Sequence, residues 1–218
     1  MQAMVRRQYG GPEVLRLEDV AKPVPQDDQI LIKIQAASVN LSDWEVLRGK
    51  PLYARFGGLL TPGRHILGSD IAGRVEAAGK NHTHFRPGEA VFGDILAHLG
   101  GFAEYVCVRG RALALKPAGL SFAAAAAIPQ AGVIALQGMR DKGQVQPGQR
   151  VLINGAGGGA GMFAVQLAKL YGAEVTAVDN AGKQDFMRGL GANHVLDYAR
   201  ADFTRTGQQY DLILDLVA

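Results

Sequence analysis

The sequence is that of an α/β protein in two domains, a β-rich first domain followed by a doubly wound parallel sheet. Three observations predict this. Short β-branched runs separated by glycine turns fill the first part of the chain. From about residue 122 the apolar period lengthens to the helical one. Beyond Pro147-Gly148, apolar strands and helical stretches alternate, the pattern of parallel strands joined by right-handed crossovers. The change of period places the boundary at residues 117–121, which gives domains 1–120 and 121–218.

Taken in order, Ile30-Leu31-Ile32-Lys33-Ile34 is a β-branched strand. Asp70 to Gly79 is a second strand, whose internal Gly73 marks a bulge or tight bend. Pro87-Gly88-Glu89 turns the chain into Ala90-Val91-Phe92-Gly93, and Ala103 to Val108 alternates as a further strand. Such strands suggest a compact barrel-like domain. Phe122 to Ile128 and Ala131 to Met139 favour helix, with Pro129 between them. Arg150 to Asn154 is a short apolar strand, and Gly155 to Gly161 a glycine cluster. Phe163, Ala164, Leu167, Ala168 and Tyr171 then fall at helical spacing until Gly172 stops them. Glu174 to Val178 is a strand, Lys183 to Leu190 a helix ended by Gly191, and His194 to Leu196 and Leu212 to Leu214 two more strands.

Composition excludes several classes of function. The 218 residues are 48% hydrophobic and 20% charged, an ordinary globular balance that excludes a disordered tail or a coiled coil. The net charge of +3 is spread evenly: 15 basic against 12 acidic residues up to 120, then 8 against 8. No basic run tracks a phosphate backbone, so nucleic-acid binding is not expected. One cysteine, Cys107, excludes a disulfide framework and a four-cysteine zinc lobe, and suits a reducing compartment. The N-terminus has no leader-like apolar stretch, and Phe122 to Ile128 is too short to span a bilayer. The expectation is a cytoplasmic protein with no membrane partner.

The glycine cluster carries the chemistry. A strand that runs through glycines into a helix leaves free amides and the positive end of the helix dipole for a diphosphate. Here the pattern is Ala156, Gly158 and Gly161, and Asp179 ends the next strand 18 residues after Gly161. An acid at that spacing binds the ribose hydroxyls and favours NADH. Lys183, four residues on, is placed to meet a 2′-phosphate and favours NADPH. The two residues argue in opposite directions, and the choice of cofactor stays open.

These residues, with Ser38-Val39-Asn40-Leu41-Ser42-Asp43-Trp44, Leu67-Gly68-Ser69-Asp70-Ile71-Ala72-Gly73, Phe85-Arg86-Pro87-Gly88-Glu89-Ala90-Val91, Gly101 to Tyr105, Asn154 to Gly161 and Leu190 to Tyr198, resemble the medium-chain dehydrogenase/reductase superfamily. The similarity is to its zinc-independent quinone oxidoreductase branch. The resemblance implies a GroES-like β-barrel domain, a Rossmann domain, an active site in the cleft between them, and a homodimer. Zinc alcohol dehydrogenases of the superfamily hold catalytic zinc with Cys, His and Cys. The matching positions are Asn40, Ser69 and Gln130, none of them a good zinc donor. The pair His82-x-His84 is read as surface histidines, so no metal site is expected.

Without a Lewis acid, the chemistry implied is hydride transfer from NADPH, with NADH possible, to a quinone or enone. The resemblance places Asn40 beside the nicotinamide, orienting the cofactor or bonding the substrate oxygen, and makes Tyr53 a candidate proton or hydrogen-bond donor. It assigns Gln130, Gly158, Gly159, Ala160 and Tyr198 to cofactor binding, beside the Asp179 and Lys183 read above from their spacing. Ile134 stands where relatives commonly carry a threonine, and Glu45 where they carry an aromatic or basic residue. The family continues past the point that matches Ala218, and only four of about six strands are found, so a truncated chain with a partial Rossmann domain is expected. A zinc-type alcohol dehydrogenase and a non-catalytic nucleotide-binding module are the alternative readings.

Overall fold

The computed structural model of the chain describes every residue except Phe56, His82, Thr83 and Ala218. His82, one half of the histidine pair above, therefore lies outside the described residues. The chain forms two compact units, Met1–Gln130 and Ala131–Ala218.

The first unit begins with a two-stranded antiparallel ribbon, β1 (Gln2–Val5) and β2 (Arg16–Asp19). Four residues each are too few for periodicity to reveal from sequence. Next come β3 (Gln29–Ser38), helix α1 (Leu41–Arg48), β4 (Asp70–Ala78), β5 (Ala90–Asp94), β6 (Tyr105–Arg109) and β7 (Ala114–Leu115). The strands form one antiparallel sheet in the order β6-β3-β4-β5-β7. Its core is aliphatic: Ile30, Ile32, Ile71, Val75, Val91, Ile95, Val106 and Val108. The expected irregularity at Gly73 is present. The β3–β4 register shifts between Ile34 and Ala36, and a Cβ on Gly73 would lie 2.3 Å from the Lys33 carbonyl oxygen.

Helix α1 buries Asp43 and Leu47, and Leu47, with Val46 beside it, packs on Leu67 and Leu99. It is held from outside the helix by Arg6, which is 2% exposed. That guanidinium donates to the carbonyls of Val46 and Leu47 at the helix C-terminus, and to that of Arg64. Helix α2 (Phe122–Ala126) is capped by Ser121, whose hydroxyl accepts the Ala124 N–H at 3.1 Å. Its alanines pack on Ala72 of β4, with Ala36 and Phe92 beside them, so α2 belongs with the first sheet. Helix α3 (Pro129–Leu136) starts on its proline, where a missing N–H costs nothing, and continues as a π turn over Gln137–Lys142.

The second unit contains β8 (Arg150–Asn154), α4 (Gly159–Leu170), β9 (Glu174–Asp179), α5 (Gln184–Gly189), β10 (His194–Asp197) and β11 (Leu212–Asp215). Every pairing is parallel, in the order β10-β9-β8-β11. Renumbered from β8 this is 3-2-1-4, the first four strands of the dinucleotide-binding order. Val151, Ile153, Ala164, Val165, Ala168, Val175, Ala177 and Met187 form its core. Gly172 and Gly191 close the two helices at φ +81° and +102°. Among the described residues, no helix is long and apolar enough to cross a membrane.

Candidate functional site

The first unit buries a polar cluster where β3, α1 and β4 meet. Ser69 and Asp70 are 0% exposed and Asp43 is 2% exposed. Asn40 is the residue before α1, and Asp43 Oδ2 accepts its backbone N–H at 2.9 Å, one arm of a capping box. Asp43 Oδ1 accepts the Gly68 N–H at 3.1 Å, and Ser69 Oγ donates to Asp43 Oδ2 at 3.3 Å. The Asn40 amide nitrogen donates to Ser69 Oγ at 3.0 Å and, at 3.4 Å, to Ser38 Oγ. Both oxygens of Asp70 accept the Gln130 backbone N–H, at 3.2 and 3.0 Å. The Gln130 Oε1 in turn accepts the Ser42 hydroxyl at 2.9 Å.

Burial raises the Asp43 carboxyl above its ordinary value, although the N–H donors of Asn40 and Gly68 hold it back. Asp70 is pushed up to about 6, first by burial and then by the charges of Asp94 and Asp43. The Gln130 N–H and the Asn40 side chain oppose that rise.

A cavity of about 490 Å³ opens beside this cluster, lined among others by Ser42, Glu45, Tyr53 and Leu99. The Tyr53 hydroxyl donates to Glu45 Oε2 at 2.8 Å, and that bond raises the phenol above its ordinary value. Tyr53 is 59% exposed and makes no hydrogen bond to Asn40 or Gln130. A larger hollow of about 770 Å³ beside β6, lined by Arg64, His98 and Cys107, contains none of the candidate catalytic or cofactor-binding residues.

In the second unit the glycine cluster turns from β8 into α4, a twelve-residue helix with Gly158 at its N-cap and no side-chain cap. The amides of Gly159, Ala160 and Gly161 donate to none of the described residues, which leaves them free for an anion. A Cβ on Gly161 would lie 2.2 Å from the Gly155 carbonyl oxygen, so helix and strand approach too closely for any side chain there. Ala156, at the first position of the pattern, is fully buried, and its methyl is accommodated.

Asp179 ends β9 beside this loop. Its Oδ2 accepts the Gly157 N–H at 2.9 Å and the Lys183 ammonium at 3.3 Å. Its Oδ1 accepts Asn180 through both backbone and side-chain nitrogen, at 2.8 and 3.0 Å. Tyr198 lies just past β10, where its backbone N–H reaches the Asp179 carbonyl at 3.3 Å and its ring is 61% exposed.

The structure thus joins Asn40 and Gln130 through Asp70 in one unit. It gathers Gly158, Gly159, Ala160, Asp179, Lys183 and the Tyr198 backbone in the other, and leaves Tyr53 paired with Glu45. Sequence reading missed Asp43 and Asp70 as the carboxylates that tie the cluster together, and Gly157 as the amide that engages Asp179. The only signal was a charged residue opening the apolar run Asp70-Ile71-Ala72.

Asn40, Ser69 and Gln130 do not fit a zinc ion. They offer two amides and a hydroxyl, already bonded to one another's neighbours, and zinc takes thiolate, imidazole or carboxylate. Among the described residues, no three His, Cys, Asp or Glu side chains gather as a metal site would require.

Comparison with known proteins accords with this architecture. Residues 26–118 match the alcohol dehydrogenase GroES-like domain, and residues 159–218 the zinc-binding dehydrogenase domain. A 2-methylene-furan-3-one reductase of Solanum lycopersicum is 36% identical over all of this chain, which spans 57% of that protein. An NADPH-dependent alkenal/one oxidoreductase, chloroplastic, of Arabidopsis thaliana is 33% identical with the same 100% and 57% coverage. The chain therefore spans little more than half the length of these relatives. The structure of the quinone oxidoreductase from Coxiella burnetii superimposes with a TM-score of 0.91 at 34% identity, over 100% of this chain and 69% of that one. The chain belongs to the medium-chain dehydrogenase/reductase superfamily.

Proposed function

We propose that this chain carries the substrate and nucleotide sites of an NADPH-dependent reductase of quinones or enones that works without zinc. The observation that carries this reading is the Asn40–Ser69–Gln130 set, amides and a hydroxyl at the positions that the family resemblance matches to zinc ligands. A quinone or enone is already electrophilic, so the protein must mainly orient it and stabilise the charge that develops on its oxygen. When bound, NADPH supplies a hydride, two electrons with one hydrogen nucleus, to the β-carbon of an enone or to a quinone, and water supplies the balancing proton.

The free amides of Gly159 and Ala160, with Gly158 at the helix start, would hold the diphosphate. For the adenosine end the geometry favours NADPH. All of the Asp179 acceptors are engaged by Gly157, Asn180 and Lys183, so a ribose diol would have to displace protein donors. The Lys183 side chain remains 41% exposed, able to swing to a 2′-phosphate. Tyr198 would cover the adenosine side, and Tyr53 with Glu45 would line the acceptor cavity of about 490 Å³. A cytoplasmic homodimer is the form this reading expects. The reductase named from Solanum lycopersicum and the alkenal/one oxidoreductase from Arabidopsis support the enone class.

The test is parallel titration with NADPH and NADH by calorimetry, followed by nucleotide consumption with benzoquinone and with a short-chain enone. NADPH preference with consumption in either acceptor supports the reading. No oxidation of either nucleotide with any acceptor overturns it.

A further inference from the structure

The cluster contains two side-chain amides, Asn40 and Gln130, and either could meet the oxygen that gains charge. They are not in equivalent states. The single hydroxyl hydrogen of Ser69 points to the Asp43 carboxylate at 3.3 Å, so Ser69 Oγ can only accept from Asn40. The Asn40 nitrogen is drawn inward by that acceptor at 3.0 Å, by Ser38 Oγ at 3.4 Å, and by the Asp70 carboxylate against which it stands. Turning the amide over would aim its carbonyl oxygen at a serine lone pair and an acid. Its N–H groups are committed to the interior.

Gln130 is the opposite case. Its backbone is pinned by both oxygens of Asp70, and its Oε1 takes the hydroxyl of Ser42, one of the residues lining the cavity of about 490 Å³. Its Nε2 donates to none of the described residues, and the side chain is half-buried. Gln130 itself is one hydrogen bond from the cavity wall, through Ser42, and its amide N–H groups are uncommitted, which is what a donor to a developing oxyanion requires.

We propose that Gln130 Nε2 is the hydrogen-bond donor to the reacting carbonyl oxygen, and that Asn40, held by Ser69 and Asp70, is a positioning residue that donates nothing to substrate. This rests on the reductase reading. It reassigns Gln130 from cofactor to substrate and removes one of the two roles considered for Asn40.

The experiment uses the chain as it stands, with 4-nitrophenolate as a stable mimic of the oxyanion. Side-chain amide resonances are followed by nitrogen–proton spectroscopy and assigned with Gln130→Leu and Asn40→Ser. The expected result is that the Gln130 NH₂ pair shifts on titration with the phenolate, while the Asn40 pair is exchange-protected at the start and stays put. In turnover, Gln130→Leu and Gln130→Glu each lower kcat by about 100- to 1000-fold, the size of one lost oxyanion donor, with the KM for NADPH little changed. A phenolate shift on Asn40, a shift on neither amide, or full kcat in both Gln130 variants overturns the proposal. Absence of turnover in the unaltered chain would instead count against the reductase reading, and the spectroscopic comparison would still decide between the two amides.

Discussion

Asp70 is a fully buried carboxylate whose charged neighbours are the acids Asp94 and Asp43. Its folded-state value of about 6 lies above the ordinary 3.8, so between those limits the folded chain binds more protons than the unfolded one. The contribution to stability is therefore full below about pH 4 and is lost as pH rises through about 6. The loss amounts to about 3 kcal/mol at most. Denaturant unfolding of the native chain and of Asp70→Asn across this range measures it: the variant is expected to lose that slope. Equal slopes in both would mean that Asp70 does not carry the effect. At the other site, Lys183→Ala is expected to weaken NADPH by about tenfold and NADH little, since only the former carries the 2′-phosphate. Calorimetry with both nucleotides reads this directly, and equal losses for the two would refute the assignment.

Two elements depend on features outside their own periodicity. The turn into α4 exists because Gly161 carries no side chain. Gly161→Ala would drive a Cβ to 2.2 Å from a carbonyl oxygen and 2.6 Å from the Ala156 Cα, so helix and strand must part. The expected cost is about 2 kcal/mol or more, with loss of nucleotide binding, read by thermal melting and titration. Helix α1 is held by Arg6 at its C-terminus as well as by the packing of Val46 and Leu47 on Leu67 and Leu99. Arg6→Met keeps much of the aliphatic stem but removes the donors to Val46 and Leu47, and is expected to cost about 1–3 kcal/mol. A change below a few tenths would show that the last turn satisfies itself with water. These two elements also explain what could be read in the sequence. The glycine cluster, Asp179 and the strands of the parallel sheet were legible because strand, glycine and helix must follow in a fixed order and spacing. Helix α1 was not, because its support comes from distant residues, Arg6 some forty positions upstream and Leu67 and Leu99 downstream. Nor were the carboxylate ties of Asp43 and Asp70 to Asn40, Ser69 and Gln130, which join residues up to sixty positions apart.

At the scale of the molecule, the function proposed needs no metal in either unit. Exhaustive chelation is expected to leave the melting temperature and the NADPH titration unchanged; a drop in either on removal of stoichiometric zinc would restore the dehydrogenase alternative. The residues of the first unit also carry unequal constraints. Asn40 both opens a helix and anchors a buried polar cluster, so a change there disturbs folding and chemistry together. Tyr53, 59% exposed, and its partner Glu45 line the cavity of about 490 Å³ without entering that cluster. Mutational drift can therefore explore the second pair at little risk to the scaffold. Under laboratory selection for a new acceptor, the first surviving substitutions should accumulate at positions 45 and 53, while 40, 43 and 70 stay fixed.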